Sequence, residues 1–344
     1  MQAMLAKAAK LKLHNADALG HLFDTLVKSM ACAGCEVWGP DCVAKVVAKA
    51  DFGRCMAETK LHNMFSRRVL GLPKTAPCVP MLMEAGRQPF MVFWLRMAAQ
   101  LWNRALGRDL HDLLNMALRE GTDMLAELTD TRQLWADQFT HCLECLGVVW
   151  RGDGGALAQL DTKGMIKTAV EKWQAHEQAD SAHQQDWGRE QLAVRAAPDT
   201  FSRGFMTFTY SSWFAPPEGW VRKQSFMFYL TRPRDIKVVA QFRLGCHGLA
   251  VREGRWGVRT PRSQRTCPCC GHGVEDELHL WECPIYEDAR SSFPSLCEPA
   301  ESWTDRGFNE RMNGTTKQHW IDLARFLNQC KKTRDVFLTS QRSP

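Results

Sequence analysis

The stretch that decides the fold near the C-terminus is Cys267-Pro-Cys-Cys270-Gly-His-Gly-Val-Glu-Asp-Glu-Leu-His279-Leu-Trp-Glu-Cys283. It contains thiols and an imidazole at separations that one tetrahedral zinc ion can span. The first Cys pair lies on a turn rich in Gly, while His279 and Cys283 are four residues apart and share one face of a short helix. The sequence therefore predicts one structural zinc ion held from two sides by Cys267, Cys270, His279 and Cys283.

Closed coordination bears on the role of this metal. Three Cys and one His fill all four positions, whereas a catalytic zinc keeps one position open for water, so the set favours a metal that organises the fold. Cys269 and His272 are spare donors that could replace one ligand. The alternative is four unrelated residues in a chain with 14 cysteines, against which stand two matching spacings and the Gly turn.

Composition bounds the class of protein. With 344 residues, 45% of them hydrophobic and 24% charged, the chain has enough apolar material for a core of two or three subdomains. Lysines near the N-terminus are not followed by the apolar region of a secretion signal, so reduced or metal-bound thiols in the cytoplasm or nucleus are expected. The longest apolar runs, such as Leu146 to Trp150, are too short to cross a bilayer, so no membrane partner is expected.

The positive charge is concentrated just before the zinc turn. The net charge of +6 only permits anionic partners, but five arginines and a tryptophan crowd one Gly- and Pro-containing loop: Arg252, Arg255, Trp256, Arg259, Arg262 and Arg265. Guanidinium groups there can meet successive phosphates, and the indole offers a face for an unpaired base. The alternative, held open, is a solvated loop whose charges pair with Glu275, Asp276 and Glu277.

Helical periodicity dominates the first half of the chain. Apolar residues recur every three or four positions from Leu19 to Met30, and Gly34 with the Gly39-Pro40 pair is expected to end that helix. A second helical stretch runs from about Val43 towards Val69, before prolines interrupt it. Helical periodicity then continues through residues 90–146.

One helix in this array has a basic face. Its apolar stripe comprises Phe90, Trp94, Met97 and Leu101, and its opposite face comprises Arg96, Gln100, Asn103 and Arg104. Arg96 and Arg104 are therefore candidates for contact with a nucleic acid backbone. A solvated face is the alternative explanation for such charges.

The second half changes character twice. Residues 172–195 are helix-permissive but weakly amphipathic, as in a linker helix, and 201–220 is rich in aromatic residues, Thr and Ser, as in a strand pair or an irregular segment. A final amphipathic helix follows the zinc segment, marked by Trp320, Leu323, Phe326, Leu327 and Cys330. The predicted fold class is mainly α: a multi-helix array with a small zinc-stapled module near the C-terminus.

These motifs, in this order, resemble the part of a non-LTR (LINE-type) retrotransposon polyprotein that follows the reverse transcriptase palm. Three groups of segments carry the resemblance: Leu22 to Lys28 with Gly34 to Gly39, similar to the end of the polymerase domain and its thumb; Phe65 to Lys74, Glu84 to Pro89 and Arg96 to Arg104, similar to the post-polymerase linker; and Phe242-Arg243 to Trp256 with Cys267 to Arg290, similar to the C-terminal zinc region. No motif aligns between about Gly152 and Trp220.

The resemblance implies a function and a division of the chain. It implies a truncated fragment that grips template RNA or target DNA, with Arg243 among the contacts and the missing polymerase portion as a further partner. The implied segments are 1–72 for the polymerase end and thumb-like helices, 73–150 for a helical linker, 151–225 for a linker helix and aromatic-rich segment, and 226–344 for the basic zinc-binding module.

Catalysis by the chain itself is not expected. A polymerase palm needs paired carboxylates for two metal ions, and the sequence contains no Asp-Asp pair. The residues before Leu22 are also too few for fingers and palm. Two other function classes remain open: a helical protein-interaction scaffold with a structural zinc, and, less favoured, a zinc-dependent enzyme, since no His is followed two residues later by the Glu that nucleobase deaminases use.

Overall fold

The computed structural model describes residues 1–13, 15–49, 57–127, 134–172, 224–253, 260–261, 264–297 and 305–341. These residues are mainly helical, which confirms the predicted fold class, and their only β pairing consists of two isolated bridges. The strand pair or irregular segment predicted at 201–220 lies outside the described residues, as does most of 172–195. Within the described ranges, no helix combines the length and the apolar character that crossing a bilayer demands.

The helices are short, apart from α7 and the last helix. In chain order they are α1 Gln2–Lys10, α2 Ala16–Phe23, α3 Ser29–Ala31, α4 Cys35–Lys49, α5 Ala57–Leu70, α6 Cys78–Glu84, α7 Phe90–Leu106, α8 Leu113–Glu127, α9 Trp135–Leu146, α10 at 162–172, α11 Phe226–Tyr229, α12 Pro233–Arg243, α13 Ala250–Glu253, α14 His279–Glu282, α15 Glu287–Ser292, α16 Pro294–Cys297, α17 Asp305–Met312 and α18 Lys317–Ser340. A π-helical turn, Asp24–Lys28, joins α2 to α3.

The chain forms two compact units that share it unevenly. Unit 1 comprises Met1, Leu22–Asn63 and Gln88–His176, and unit 2 comprises the described parts of Gln2–His21, Met64–Arg87 and Glu177–Pro344. Neither unit is one continuous segment. The four segments that the resemblance implies are consecutive, whereas both units combine separated stretches of the chain. The Pro-rich stretch after α5 belongs to unit 2.

Unit 1 is a bundle with an aromatic core. Helix α4 packs along α7 and α9, and α8 packs against both α7 and α9. Trp102 on α7 lies 6.4 Å from Trp135, 5.7 Å from Phe139 and 6.1 Å from Trp150 between ring centroids. Rings at these separations bury large apolar surfaces and add attraction between their π-systems, so this cluster is a major part of the core.

The helical stretch predicted from Leu19 ends at Ala31, just before Gly34 with its φ of 68°, as expected, but Gly39-Pro40 does not end a helix, because both residues lie inside α4. A Cβ at residue 39 would lie 2.9 Å from the Cβ of Trp94, so glycine is what lets α4 approach α7 this closely. Proline cannot donate to the carbonyl four residues before it. That carbonyl, of Glu36, accepts instead from Trp135 Nε1 at 2.9 Å, so a tertiary hydrogen bond replaces the lost helical one.

The polar face of α7 is partly covered by the chain itself. Asn103 donates to the Leu160 carbonyl at 2.8 Å and accepts from the Leu160 backbone N–H at 2.7 Å, while Trp102 Nε1 donates to the Ala158 carbonyl at 2.9 Å. Arg104 on the same helix is exposed, and Arg96 is half-buried. Asn103 is thus a structural residue, while Arg104 stays accessible to a partner.

Unit 2 is built around α18. Helices α11, α12, α15 and α16 contact it, and its buried stripe contains all five predicted apolar residues, which confirms the final amphipathic helix. Thr316 begins α18 by accepting a hydrogen bond from the backbone N–H of His319 at 3.2 Å, the usual bond of an N-cap side chain. Trp281 lies 5.1 Å from Phe326 and 5.3 Å from Phe308, so α14, just after the Cys-rich turn, reaches the centre of this core.

Arg243 lies in the core of unit 2, and this corrects its predicted role as a nucleic acid contact. Its side chain is 0% exposed and forms a two-pronged pair with Glu84, at 2.9 and 2.8 Å. The guanidinium also donates to the Met312 carbonyl and to Asn313 Oδ1. A buried charge is tolerated only when it is paired and hydrogen-bonded, and these contacts use the guanidinium inside the fold.

Candidate metal centre

The four predicted ligands come together in unit 2. One ligand atom each from Cys267, Cys270, His279 and Cys283 lies within 4.8 Å of every other. The Sγ atoms of Cys267 and Cys283 are 3.8 Å apart, and Cys270 Sγ is 3.4 Å from His279 Nε2. Cys267, His279 and Cys283 are buried and Cys270 is half-buried, so the cluster opens to solvent mainly on one side.

These distances suit a tetrahedral metal. Bonds of about 2.3 Å to sulfur and about 2.0 Å to nitrogen place two sulfur ligands about 3.8 Å apart and a sulfur and a nitrogen about 3.5 Å apart. The observed separations of 3.8 and 3.4 Å are close to both values. The cluster could therefore hold one metal ion and is compatible with zinc.

Two glycines shape the turn that carries the first Cys pair. Thr266 and Val274 form an antiparallel bridge, and between them Gly271 and Gly273 adopt left-handed φ angles of 71° and 67°. The Cys267 backbone N–H donates to the Gly273 carbonyl at 3.0 Å. Only glycine adopts such angles without steric cost, so the two positions let the chain reverse tightly around the ligands.

A short helix brings the second ligand pair. The side chain of Asp276 accepts from the backbone N–H of His279 at 3.1 Å, at the beginning of α14. The Cys283 N–H then donates to the His279 carbonyl at 2.8 Å, which is one helical turn. His279 is therefore the first residue of α14, and Cys283 follows its last residue rather than lying within the helix as predicted.

Burial and backbone donors act in opposite directions on the ionisation of the ligand thiols. Burial has the larger effect: it raises the pKa of Cys283 to about 12 and raises that of Cys267. Backbone N–H groups act in the opposite direction: those of Cys269 and Cys270 lower the pKa of Cys267, and that of Ile285 lowers the pKa of Cys283. Buried thiols of this kind need a cation to stay ionised, which is what a bound metal ion supplies.

The spare donors take different positions. Cys269 Sγ lies within 4.8 Å of ligand atoms of Cys267 and Glu275, which forms a second possible group of three donors. His272 is exposed, and its backbone N–H donates to Cys270 Sγ at 3.4 Å. The four-donor set is the more complete site, because two sulfurs and one already paired carboxylate leave an ion under-coordinated.

Glu275 ties the turn to α18. Its carboxylate, 1% exposed, receives Arg334 Nε at 2.7 Å and Arg334 NH2 at 2.9 Å, and it also accepts from the Ala250 backbone N–H at 2.6 Å. The Glu275 backbone N–H donates to the Arg265 carbonyl at 3.0 Å. A fork-to-fork Arg–carboxylate pair is geometrically specific, so the turn is held in one position on the helix.

Sequence reasoning missed Arg334, although a signal was present. Arg334 continues the buried stripe of α18, four residues after Cys330 and seven after Leu327. An arginine in phase with a buried stripe indicates a buried ion pair, since a charge there needs a partner. Which carboxylate would meet it could not be deduced, because Glu275 is 59 residues away.

The acidic residues of the turn have hydrogen-bond and ion-pair partners other than the arginines of the loop. Glu277 lies 2.8 Å from His247 Nε2, and both side chains are nearly buried. Together with the Glu275–Arg334 pair, this supplies partners for two of the three carboxylates that were candidates to neutralise the loop. The side chain of the third, Asp276, caps α14.

Arg252 and Arg265 are structural residues, which corrects their predicted nucleic acid contacts. Arg265, 4% exposed, donates to the carbonyls of Thr260 and Val251 at 2.8 and 2.9 Å. Arg252, 7% exposed, has its NH2 atom 3.4 Å from Thr75 Oγ1. Side chains this buried cannot reach a phosphate without opening the fold, because their donors are used internally.

The remaining predicted contacts lie elsewhere. Four members of the arginine loop lie outside the described residues: Arg255, Trp256, Arg259 and Arg262. Arg96 and Arg104 lie in unit 1, so they belong to a different body from the metal cluster.

The chain matches no protein-family model, no curated protein and no solved structure. Four buried or half-buried donors in closed arrangement, braced by the Glu275–Arg334 pair, are suited to holding the turn, α14 and α18 together.

Proposed function

We propose that this chain is a nucleic-acid-binding module whose C-terminal unit is held together by one structural zinc ion. The carrying observation is the closed Cys267, Cys270, His279 and Cys283 cluster, whose distances suit zinc and leave no ligand position for a substrate or a water. Zinc is favoured because three sulfurs and one nitrogen in tetrahedral arrangement match its preferences among common metals.

The net charge permits an anionic partner, and the resemblance indicates that this partner is a nucleic acid. A basic chain, +6 overall, with motifs similar to those after the polymerase domain of non-LTR retrotransposon polyproteins, is suited to gripping template RNA or target DNA. Polymerisation is not part of the proposal, since the sequence has no Asp-Asp pair for the metal ions of that reaction. The parent polyprotein would supply it.

The test combines metal analysis with binding. Elemental analysis of the purified full chain is expected to give one zinc per molecule, and fluorescence anisotropy is expected to give binding to RNA or DNA that weakens steeply with salt, because phosphate contacts release counterions. A chelator should remove the zinc and abolish binding to nucleic acid. A chain that folds without stoichiometric zinc, or that ignores nucleic acid even at low salt, contradicts the proposal.

One observation favours the protein-interaction scaffold as a second candidate. In unit 1, Leu110, Leu113 and Met116 follow each other at three-residue spacing and are 61%, 83% and 48% exposed. Exposed apolar side chains at helical spacing are typical of surfaces that bind other proteins. A stable protein complex lost on Leu113→Asp, in a chain that binds no nucleic acid, would favour this function.

A further inference from the structure

A basic groove runs between α12 and α18 in unit 2. Two adjoining cavities, of about 670 and 690 Å³, share Arg234, Asn328 and Lys332 in their walls. Asn328 bridges the helices: it accepts from Arg234 Nε at 2.9 Å and donates to Asp235 Oδ1 at 3.2 Å. The walls are therefore fixed relative to each other by hydrogen bonds as well as by packing.

The charge of this groove is a large share of the whole chain's. Two acidic residues, Asp235 and Asp335, face six basic residues in its walls, a net charge of +4 against +6 for the whole chain: Arg232, Arg234, Lys237, Arg325, Lys331 and Lys332. All six are exposed. Among the residues that the structure describes, no ion pair engages Lys237, Lys331 or Lys332, so their ammonium groups are available to an anion.

The Cys-rich turn contacts the buried side of α18, opposite the lysines of the groove. Lys331 and Lys332 lie on the exposed side of α18, while Arg334 and Cys330 lie on its buried side. Arg334 is the residue that Glu275 of the Cys-rich turn holds with two hydrogen bonds. The turn therefore fixes the part of α18 that presents the lysines.

We infer that the α12–α18 groove contacts the phosphate backbone of a nucleic acid duplex, an inference that rests on the proposed function. Its described walls contain lysine and arginine heads with aliphatic residues such as Val238 and Val336, and no aromatic ring. Surfaces for single strands stack bases on aromatic side chains, whereas duplex contacts without base readout need only a fixed array of cations. Arg243, Arg252 and Arg265 are buried, so among the described residues phosphate binding is assigned to the groove instead.

The experiment removes three groove charges from the full chain. Lys237→Gln, Lys331→Gln and Lys332→Gln are combined, and binding to a 20-bp DNA duplex, an RNA duplex of the same sequence and the matching single strands is followed by anisotropy across a salt series. About tenfold or more weaker duplex binding is expected near 0.1 M salt. The slope of log K against log salt should fall by about two to three, at roughly 0.9 for each lost phosphate contact.

A matched control carries the same change in net charge. Lys7, Lys10 and Arg68 are exposed residues of the same unit, outside the groove, and their combined change to Gln should leave the salt slope nearly unchanged. Retained zinc content and circular dichroism establish that both variants are folded.

The outcomes separate the two claims. If the wild-type chain binds duplex and both triple variants weaken it equally, attraction is diffuse and the groove inference fails while the proposed function stands. Groove-dependent preference for single strands, or groove-dependent binding of an acidic protein without duplex binding, also overturns the inference. If the wild-type chain binds no nucleic acid, the proposed function itself fails. Comparison of the DNA and RNA arms identifies which duplex supplies the phosphates.

Discussion

The two units bury different chemistry. Unit 1 fills its core with rings and neutral thiols: Trp94 Nε1 donates to the sulfur of Cys32 at 3.4 Å, and Cys142 is 1% exposed. Unit 2 buries charges, the Arg243–Glu84 and Arg334–Glu275 pairs, and a cluster of four donors that could hold a metal ion. Cysteine is buried in both, but only in unit 2 do four donors converge among the described residues.

This difference predicts how the stability of each unit responds to mutation. Burial of apolar and aromatic side chains stabilises roughly in proportion to the area removed from water, so a conservative change at one ring costs a limited amount. Buried ion pairs and metal ligands depend on complete partner sets, because removal of one member leaves an uncompensated charge or an unfilled coordination position. Unit 1 should therefore weaken gradually when it is mutated, and unit 2 should fail abruptly.

The largest effect is expected from Cys283→Ser. Structural zinc contributes roughly 10–16 kcal/mol of binding free energy in zinc-finger peptides, which exceeds the stability of a typical domain. Loss of one buried ligand should therefore unfold the region around residues 264–297. Hydrogen exchange measured by mass spectrometry is expected to show fast exchange there and unchanged protection in α7.

Cys142→Ser is the matched control, a buried thiol without a metal cluster around it. The Cys142 thiol donates to the Pro40 carbonyl at 3.6 Å and a Ser hydroxyl can keep that bond, so the change should cost about 1–3 kcal/mol at most and leave zinc content unchanged. Equal loss of structure in the two variants would break the distinction between the units.

Arg243→Met comes next, with an expected loss of about 3–5 kcal/mol, because Glu84 would remain as a buried charge without its partner. Denaturant unfolding measures it. Adding Glu84→Gln should recover part of the loss. For contrast, Arg108→Met breaks the surface pair with Asp112 and should cost far less, because solvent screens such a pair. A small effect for Arg243→Met would show that this core tolerates the unpaired carboxylate.

Trp135→Phe tests the hydrogen bond beside Pro40, the one described proline that lies inside a helix of unit 1. A smaller aromatic ring remains at this position, but the Glu36 carbonyl that Pro40 leaves without a helical partner loses its donor, at an expected cost of about 2 kcal/mol. Thermal unfolding is the measurement. Trp150→Phe, whose Nε1 reaches an exposed Glu144 at 3.4 Å, should cost less than half as much. Similar losses would mean that the Glu36 carbonyl is satisfied in another way.

The smallest effect is a pH dependence in unit 1. Burial raises the pKa of Cys142 from 9.0 to about 12, so the thiol is neutral in both states below pH 9 and ionises first in the unfolded chain above it. Stability is therefore full below pH 9 and falls as the pH rises towards 12, by about 1.4 kcal/mol per pH unit at most.

Denaturant unfolding at pH 9 and pH 10 checks this dependence. Cys142→Val should make the decline between the two values shallower without removing it, because burial also raises the pKa of Cys35 in the same unit to about 12. A decline of the same steepness in Cys142→Val would assign the pH dependence to other groups.

Comparison of the helices with the site shows what spacing can predict. The stripe of α18 follows from local periodicity, since residues three or four apart share a face whatever surrounds the helix, whereas only Phe90 and Trp94 of the predicted α7 stripe are buried. Gly39-Pro40 misled for the same reason: the local rule is valid, but a contact with Trp135, 99 residues away, overrides it.

The mainly helical fold and the four donors that could hold a metal ion follow from the sequence alone, because both depend on separations shorter than about twenty residues. Only the tertiary structure decided which arginines are buried and which carboxylates hold them, since Arg243 meets Glu84 across 159 residues and Arg334 meets Glu275 across 59. Charge and spacing are local properties of a chain, whereas burial depends on which distant segments pack against each residue.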